Sequence, residues 1–212
     1  MGWSGATGDG WDAARAVVVV EGESDRQAVL ALARRRGVQL QAAGVQVQVL
    51  GGVHAIKPYL RAHRARGDRP HLTGLYDAGE EAVVRRGLAA AGLGEPVQRS
   101  ELEAAGFFCC DLDLEDELIR SLGAPRVCAV IAAHGDELAL HGLQQQPQWR
   151  DQPIELQLRR FFGSGARRKI QYGRWLTEAL ELDRVPRGLD GVLRAAITRA
   201  RADTAPDGSG RA

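Results

Sequence analysis

Residues 16–25 read AVVVVEGESD, and this stretch carries most of the information about the fold. Five consecutive apolar residues, four of them valine, are typical of a strand that is buried on both faces, as in a parallel sheet. Ser24, with Gln27 three residues later, has the spacing of a capping box and predicts a helix over residues 24–36. The stretch therefore predicts the first strand–helix unit of an α/β protein.

The same alternation of strand and helix continues to residue 122. Strands are predicted at residues 16–20, 45–50, 72–76 and 106–110. Helices follow them at residues 24–36, 55–66, 80–91 and 114–122. Strands that alternate with helices in this way form a parallel sheet, so we predict an α/β fold with a mostly parallel sheet of about four strands.

The sequence pattern changes after residue 123. Apolar side chains recur there at helical spacing, and no further strand is indicated. We therefore divide the chain into an N-terminal segment (1–15), an α/β core (16–123), a helical C-terminal extension (124–202) and a polar tail (203–212) that we expect to be disordered.

The charge of the chain is nearly balanced in total and uneven along its length. With 212 residues, 44% hydrophobic and 26% charged, it can bury a substantial core, which excludes a disordered protein. Residues 1–140 carry 15 cations and 19 anions, whereas residues 141–212 carry 13 and 8. The second part is therefore basic, although the total gives no bias toward nucleic acid or membrane. Lys57 and Lys169 are the only lysines among 28 cations.

Three further features concern the compartment. Three cysteines are too few for a disulfide framework, and no C-x-x-C pair indicates zinc. The first residues lack the basic and apolar regions of a signal peptide, and the apolar runs are shorter than the ~20 residues of a membrane span. We expect a cytoplasmic, bacterial protein with no membrane partner.

Carboxylates follow three of the four predicted strands, as EGESD (21–25), DAGEE (77–81) and DLDLEDE (111–117). The carboxyl ends of parallel strands meet at one edge of the sheet, so these acids are expected to converge. Like charges in one crevice repel unless a cation neutralises them. Oxygen ligands without His or Cys favour Mg²⁺ or Mn²⁺, so the pattern predicts a site for such an ion.

Some of these acids have a second interpretation. Asp25, Glu80 and Glu81 fall in the first turns of predicted helices, where the helix dipole stabilises a carboxylate without any metal. Glu21 directly follows four valines at the rim of a buried strand, where that explanation is weak. P-loop, dinucleotide-binding and nucleophile-elbow motifs are absent from the sequence, so we expect no ATP site.

The runs VVVVEGESD (17–25), DAGEE (77–81) and DLEDE (113–117) resemble TOPRIM domains. The resemblance is greatest to the TOPRIM domain at the C-terminus of nucleases of the overcoming lysogenization defect (OLD) family, and it covers about residues 16–180. It implies a stand-alone, Rossmann-like TOPRIM fold that cuts or rejoins phosphodiesters with one or two Mg²⁺ or Mn²⁺ ions held by carboxylates.

The resemblance also implies roles for individual residues. Glu21 and Asp25 match the first metal-binding pair, and Asp77 matches the central ligand. Asp113 and Glu115 match the acids that complete a second metal site. Catalytic roles are implied for Glu21 and for Lys169, which matches a lysine that stabilises charge on the scissile phosphate.

One position departs from the family pattern. TOPRIM domains usually carry D-x-D after the third strand, whereas here the second acid is replaced by Gly79 and Glu80 follows it. Either Glu80 substitutes as a metal ligand, or the acids after the fourth strand take over its role.

A basic segment lies in the helical extension. Residues 157–174 contain six cations and no acid, with aromatic residues interleaved. Cations displace counterions from a phosphodiester backbone, and aromatic rings can stack on unpaired bases; alternatively, the rings are core residues and the arginines a solvated face. Besides Lys169, the cations that we expect to bind nucleic acid are Arg159, Arg160, Arg167, Arg168 and Arg174.

These observations favour a metal-dependent phosphodiester hydrolase, specifically a DNA endonuclease. The expected partners are nucleic acid, a separate ATPase subunit and a second copy of the chain. A nucleic-acid-binding regulatory module with little catalysis is the alternative, motivated by Gly79 and by the absence of an ATPase motif. A receiver-like phosphoacceptor would also have acids after strands one and three, but Lys169 lies in a predicted helix and not at a fifth strand.

Overall fold

A computed structural model describes residues 14–67 and 70–203. Within them one sheet of four strands has the order β2-β1-β3-β4, and each neighbouring pair is parallel. The strands are β1 (Ala16–Val20), β2 (Val45–Val49), β3 (His71–Asp77) and β4 (Phe107–Cys110). The prediction of an α/β fold with a mostly parallel sheet of about four strands is confirmed.

The described residues also form ten α-helices. Those before β4 are α1 (Glu23–Arg35), α2 (Ile56–Ala65), α3 (Glu81–Ala90) and α4 (Arg99–Ala105). Those after β4 are α5 (Leu114–Leu122), α6 (Ala124–Ala133), α7 (Glu137–Gln144), α8 (Ile154–Phe162), α9 (Ala166–Ala179) and α10 (Arg187–Ala202). None of these helices is long and apolar enough to cross a membrane.

Strand β1 lies inside the sheet, and its side chains alternate between two apolar layers. Ala16, Val18 and Val20 pack against one layer, to which α1 and α5–α10 contribute. Val17 and Val19 pack against the other, formed by α2, α3 and α4. Both faces of the strand are covered, which is why each of its positions is apolar.

The start of α1 differs from the prediction. The helix begins at Glu23, and the residue that caps it is Gly22, whose N–H donates to Asp25 Oδ2 at 2.9 Å. Ser24, the expected cap, is 4% exposed and lies under α9. The predicted capping box was therefore wrong: the N-cap residue lies two positions earlier, and Asp25 accepts its free backbone N–H.

Of the helices after residue 123, α9 packs closely on α1 and α10 packs on the sheet. Helix α10 lies across β3, β4 and β1, and a Cβ on its Gly188 would stand only 2.6 Å from the carbonyl oxygen of Cys109. Helix α4 was not predicted because its seven residues are too few to show a clear apolar period. Residues 1–13 of the N-terminal segment and 204–212 of the predicted tail lie outside the described residues.

Candidate active site

The acids that follow β1, β3 and β4 come together at the carboxyl edge of the sheet. Burial raises the pKa of Asp77 to about 7, and the charges of four other carboxylates add to this effect. Those four neighbours are Asp25, Asp113, Glu21 and Glu115. The strand register brings these acids together. Val19 of β1 pairs with Gly74 of β3, and Asp77 of β3 pairs with Cys110 of β4, so the three strands end near one another.

Asp25 lies both at the start of α1 and in the acidic cluster. Its Oδ2 accepts the N–H of Gly22 and so caps α1. Burial nevertheless raises the pKa of Asp25 to about 6, a shift that the Gly22 N–H opposes and the charge of Glu115 increases. The same side chain thus caps the start of α1 and contributes charge to the acidic cluster.

Glu80 lies beside Glu21. Burial raises the pKa of Glu80 to about 8, and a hydrogen bond to the Glu21 side chain and the charges of Glu21 and Asp77 raise it further. A cavity with mostly apolar walls adjoins both glutamates. Glu80 therefore occupies a position near Glu21, whereas Gly79 contributes no side chain.

Glu115 is the most buried acid of the group, at 7% exposure. Its Oε2 lies 3.4 Å from Lys169 Nζ, and its Oε1 has no hydrogen-bond partner. Burial raises the pKa of Glu115, and Lys169 counteracts the rise. Burial also lowers the pKa of Lys169, but the charges of Glu115, Asp25 and Asp113 outweigh it, so the net shift is upward and the ammonium stays charged.

Asp113 uses both carboxylate oxygens within the protein. Its Oδ1 accepts the N–H of Asp116 at 2.8 Å and caps α5, and its Oδ2 is paired with the guanidinium of Arg159 on α8. Arg159, expected on a nucleic-acid-binding surface, is thus drawn into the acidic cluster.

A close contact between α1 and α9 places Lys169. A Cβ on Gly173 would stand 2.6 Å from the carbonyl oxygen of Ser24, so only glycine allows α9 to approach the start of α1 this closely. Lys169 lies one turn before Gly173, on the same face of α9. Sequence reasoning missed Gly173, although a glycine within an amphipathic helix is a signal of close packing.

The first part of the chain is similar to a known family. A family model described as "Overcoming lysogenization defect protein-like, TOPRIM domain" matches residues 14–69, which include Glu21 and Asp25. No curated protein sequence matches the chain.

Solved structures show the same fold over most of the chain. The C-terminal region of the Xanthomonas campestris pv. campestris OLD protein aligns with a TM-score of 0.70 at 23% identity, covering 90% of this chain and 95% of that one. The C-terminal region of the Burkholderia pseudomallei OLD protein aligns with a TM-score of 0.62 at 20% identity, covering 88% and 98%. The sheet and the helices after it are thus similar in fold to these two regions.

The basic segment (residues 157–174) is only partly available to a ligand. Arg168 lies 3.5 Å from Asp136 and donates to Ser164 Oγ at 2.6 Å, and Arg174 bonds to Glu178 at 2.7 Å. Arg160 and Arg167 are exposed and have no ion-pair partner among the described residues. The five arginines thus divide into one in the acidic cluster, two tied to nearby side chains and two free.

Aromatic side chains of this segment belong to the core. Phe161, Phe162 and Tyr172 are almost fully buried and pack on one another. The expectation that they stack on bases was wrong, and the alternative of core packing holds. Trp175 is half-buried and stacks on His134 with ring centroids 3.6 Å apart. Asp136, which sequence reasoning missed, accepts the Tyr172 O–H at 3.1 Å, and no sequence motif marks it.

The residues at the carboxyl edge fit a divalent cation. The cluster contains six carboxyl groups and two cationic side chains. The buried Oε1 of Glu115 has no hydrogen-bond partner, and a bound divalent cation would be a partner for it. Within residues 14–67 and 70–203, no three ligand groups already stand at metal-binding separation. Side-chain rotation would therefore have to bring the carboxylates to an ion.

Proposed function

We propose that this protein is a metal-dependent phosphodiester hydrolase that acts on nucleic acid as a DNA endonuclease. The observation that carries the proposal is the meeting of acids from three strand ends with Lys169, around a buried carboxylate oxygen that has no partner. Oxygen ligands of this kind suit Mg²⁺ or Mn²⁺.

The acidic residues divide into those with a free oxygen and those without. Asp25 and Glu115 each have one carboxylate oxygen in contact with a neighbouring group and a second one free for a ligand, whereas Asp113 has both engaged. One or two Mg²⁺ or Mn²⁺ ions, when bound, would activate water and stabilise the leaving oxygen. The residues that would hold them are Glu21, Asp25, Asp77, Glu80, Asp113 and Glu115.

Lys169 has the position and the charge to assist the reaction. Its side chain is 47% exposed, so the ammonium reaches solvent while it contacts Glu115. A phosphate oxygen that approaches the acidic cluster would meet this ammonium, which would stabilise the added negative charge of the transition state. Glu21, at the end of β1, would position the attacking water, and Arg160 and Arg167 would contact the neighbouring backbone phosphates.

The direct test is nicking of supercoiled plasmid in Mg²⁺ or Mn²⁺. We expect Glu21→Gln and Lys169→Ala to reduce the nicking rate by about 100-fold or more, the effect of removing a group that stabilises transition-state charge. Lys57→Ala is the matched control, because Lys57 is exposed on α2, and it should nick at the normal rate. Absence of nicking, or full activity in both site variants, would refute the proposal.

A second candidate function is a nucleic-acid-binding module with little catalysis. Two observations favour it: both oxygens of Asp113 are engaged, and no three ligand groups of the described residues are preformed for a metal. Calorimetry with Mn²⁺ separates the two candidates. Saturable binding that Asp77→Ala abolishes supports the hydrolase, whereas DNA binding with no saturable Mn²⁺ binding supports the module.

A further inference from the structure

Two of the acids that follow β4 are paired with cations from later helices. Arg159 on α8 pairs with Asp113 Oδ2, and Lys169 on α9 lies 3.4 Å from Glu115 Oε2. These two cations are among the residues expected from sequence to bind phosphate. In this structure they neutralise part of the acidic cluster.

Neither pair is sealed from solvent. The side chain of Arg159 is 29% exposed and that of Lys169 is 47% exposed. Only Nη2 of Arg159 contacts Asp113, and the fork of its other N–H groups suits a phosphate. A strand could therefore reach both cations without any change of fold.

We infer that Arg159 and Lys169 are internal counter-ions of Asp113 and Glu115, and that they exchange these acids for phosphates of a nucleic-acid strand when a divalent cation binds the cluster. The inference rests on the proposed function and adds a regulatory property to it. A carboxylate that binds a divalent cation holds an arginine or lysine less strongly, since part of its charge is already neutralised. The released cation is then free for phosphate.

The exchange makes metal binding and nucleic-acid binding cooperative. A metal ion that frees two cations raises the affinity for the strand, and linkage requires the strand to raise the affinity for the metal by the same factor. If the ion pairs instead persisted, only the added positive charge of the metal ion would couple the two ligands, and Arg159 would have no part in the coupling. The strand would then contact only surface cations such as Arg160 and Arg167.

Two titrations test the coupling on the intact chain. Fluorescence anisotropy measures the affinity for a labelled phosphorothioate DNA, which resists hydrolysis, with and without Mn²⁺. Calorimetry measures the affinity for Mn²⁺ with and without the same DNA. We expect each ligand to raise the affinity for the other by about fivefold or more.

Arg159→Gln gives the more specific result. Removing the competitor for Asp113 should tighten Mn²⁺ binding, and it should remove most of the Mn²⁺-dependent gain in DNA affinity. Arg160→Gln is the matched control, because Arg160 is the adjacent exposed arginine without an ion pair. It should weaken DNA binding by the same factor with and without Mn²⁺ and leave Mn²⁺ binding unchanged.

Asp113→Asn provides a second variant that does not depend on the stability of Arg159→Gln. Asparagine is a good helix cap, so α5 should keep its start. Arg159 loses its charged partner, and DNA binding without metal should therefore tighten toward the value of the metal-bound protein. If Asp113→Asn leaves metal-free DNA binding unchanged, the exchange is refuted.

The remaining outcomes separate this inference from the proposed function. A wild-type protein that binds Mn²⁺ and DNA without coupling, or an Arg159→Gln variant that behaves like Arg160→Gln, refutes the exchange alone. A wild-type protein that binds no Mn²⁺ refutes both proposals.

Discussion

At the scale of single residues, position 79 is where the chain departs from the motif. Gly79 has no side chain, and Glu80, the next residue, lies beside Glu21. The motif identified which acids would meet. It did not show that Asp25 would also cap α1, or that Asp113 would be engaged on both oxygens, because those contacts depend on the conformation of each loop.

An acid restored at position 79 should strengthen the metal site. A Cβ on Gly79 would have no described heavy atom within 4 Å apart from its neighbours in the chain, so Gly79→Asp should fold normally. One more carboxylate beside the cluster should raise the affinity for Mn²⁺ by about tenfold, the size of effect that changes around metal ligands produce. Calorimetry measures it, with Gly79→Asn as the uncharged control of the same shape. Equal affinities in all three proteins would contradict the assignment.

The stability of the metal-free protein should depend on pH in an unusual direction. The pKa values of Asp25, Asp77 and Glu80 are raised to about 6, 7 and 8, so the folded state binds more protons than the unfolded state between about pH 4 and pH 8. The free energy of unfolding should therefore fall as pH rises through this range, by about 1–3 kcal/mol after allowance for solvent. Urea unfolding in a chelator measures it. Glu80→Gln should have a shallower dependence, and an increase in stability with pH would contradict the cluster.

At the scale of secondary structure, the elements with a clear apolar period were predictable and those without one were not. Helix α5 lies where its pattern indicated, at Leu114–Leu122. Helix α4 has only seven residues and no clear apolar period, so it was not predicted. The docking of α9 on α1 was also not predictable, because periodicity indicates which face of a helix is buried but not which helix covers it.

Gly173 tests the importance of that docking. In Gly173→Ala the new Cβ would meet the Ser24 carbonyl oxygen at 2.6 Å, so α9 must move away from α1. We expect a loss of stability of about 1–3 kcal/mol, together with a lower nicking rate as Lys169 leaves Glu115. Urea unfolding and plasmid nicking measure the two effects.

Gly142→Ala is the control for that variant. It lies within α7, where a Cβ meets no described heavy atom within 4 Å, and alanine is the better helix former. It should leave activity unchanged and stability equal or slightly greater. If Gly173→Ala behaves in the same way, the close contact has no part in positioning Lys169.

At the scale of the whole molecule, the near-zero net charge is the sum of an acidic edge and a basic segment that meet. The rule that parallel strands end at one edge predicted the acidic part. The basic part could be found in the sequence, but its division into Arg159 in the cluster and free arginines at the surface could not. That division depends on how α8 and α9 pack against the sheet.

The central claim is that the acids after β1, β3 and β4 hold a divalent cation. Anomalous scattering from crystals soaked in Mn²⁺ tests it most directly, because it locates the ion without requiring activity. The account predicts one or two peaks among the six carboxylates of the cluster, Glu21, Asp25, Asp77, Glu80, Asp113 and Glu115. Peaks only elsewhere, or no peak in crystals where these carboxylates are open to solvent, would contradict it.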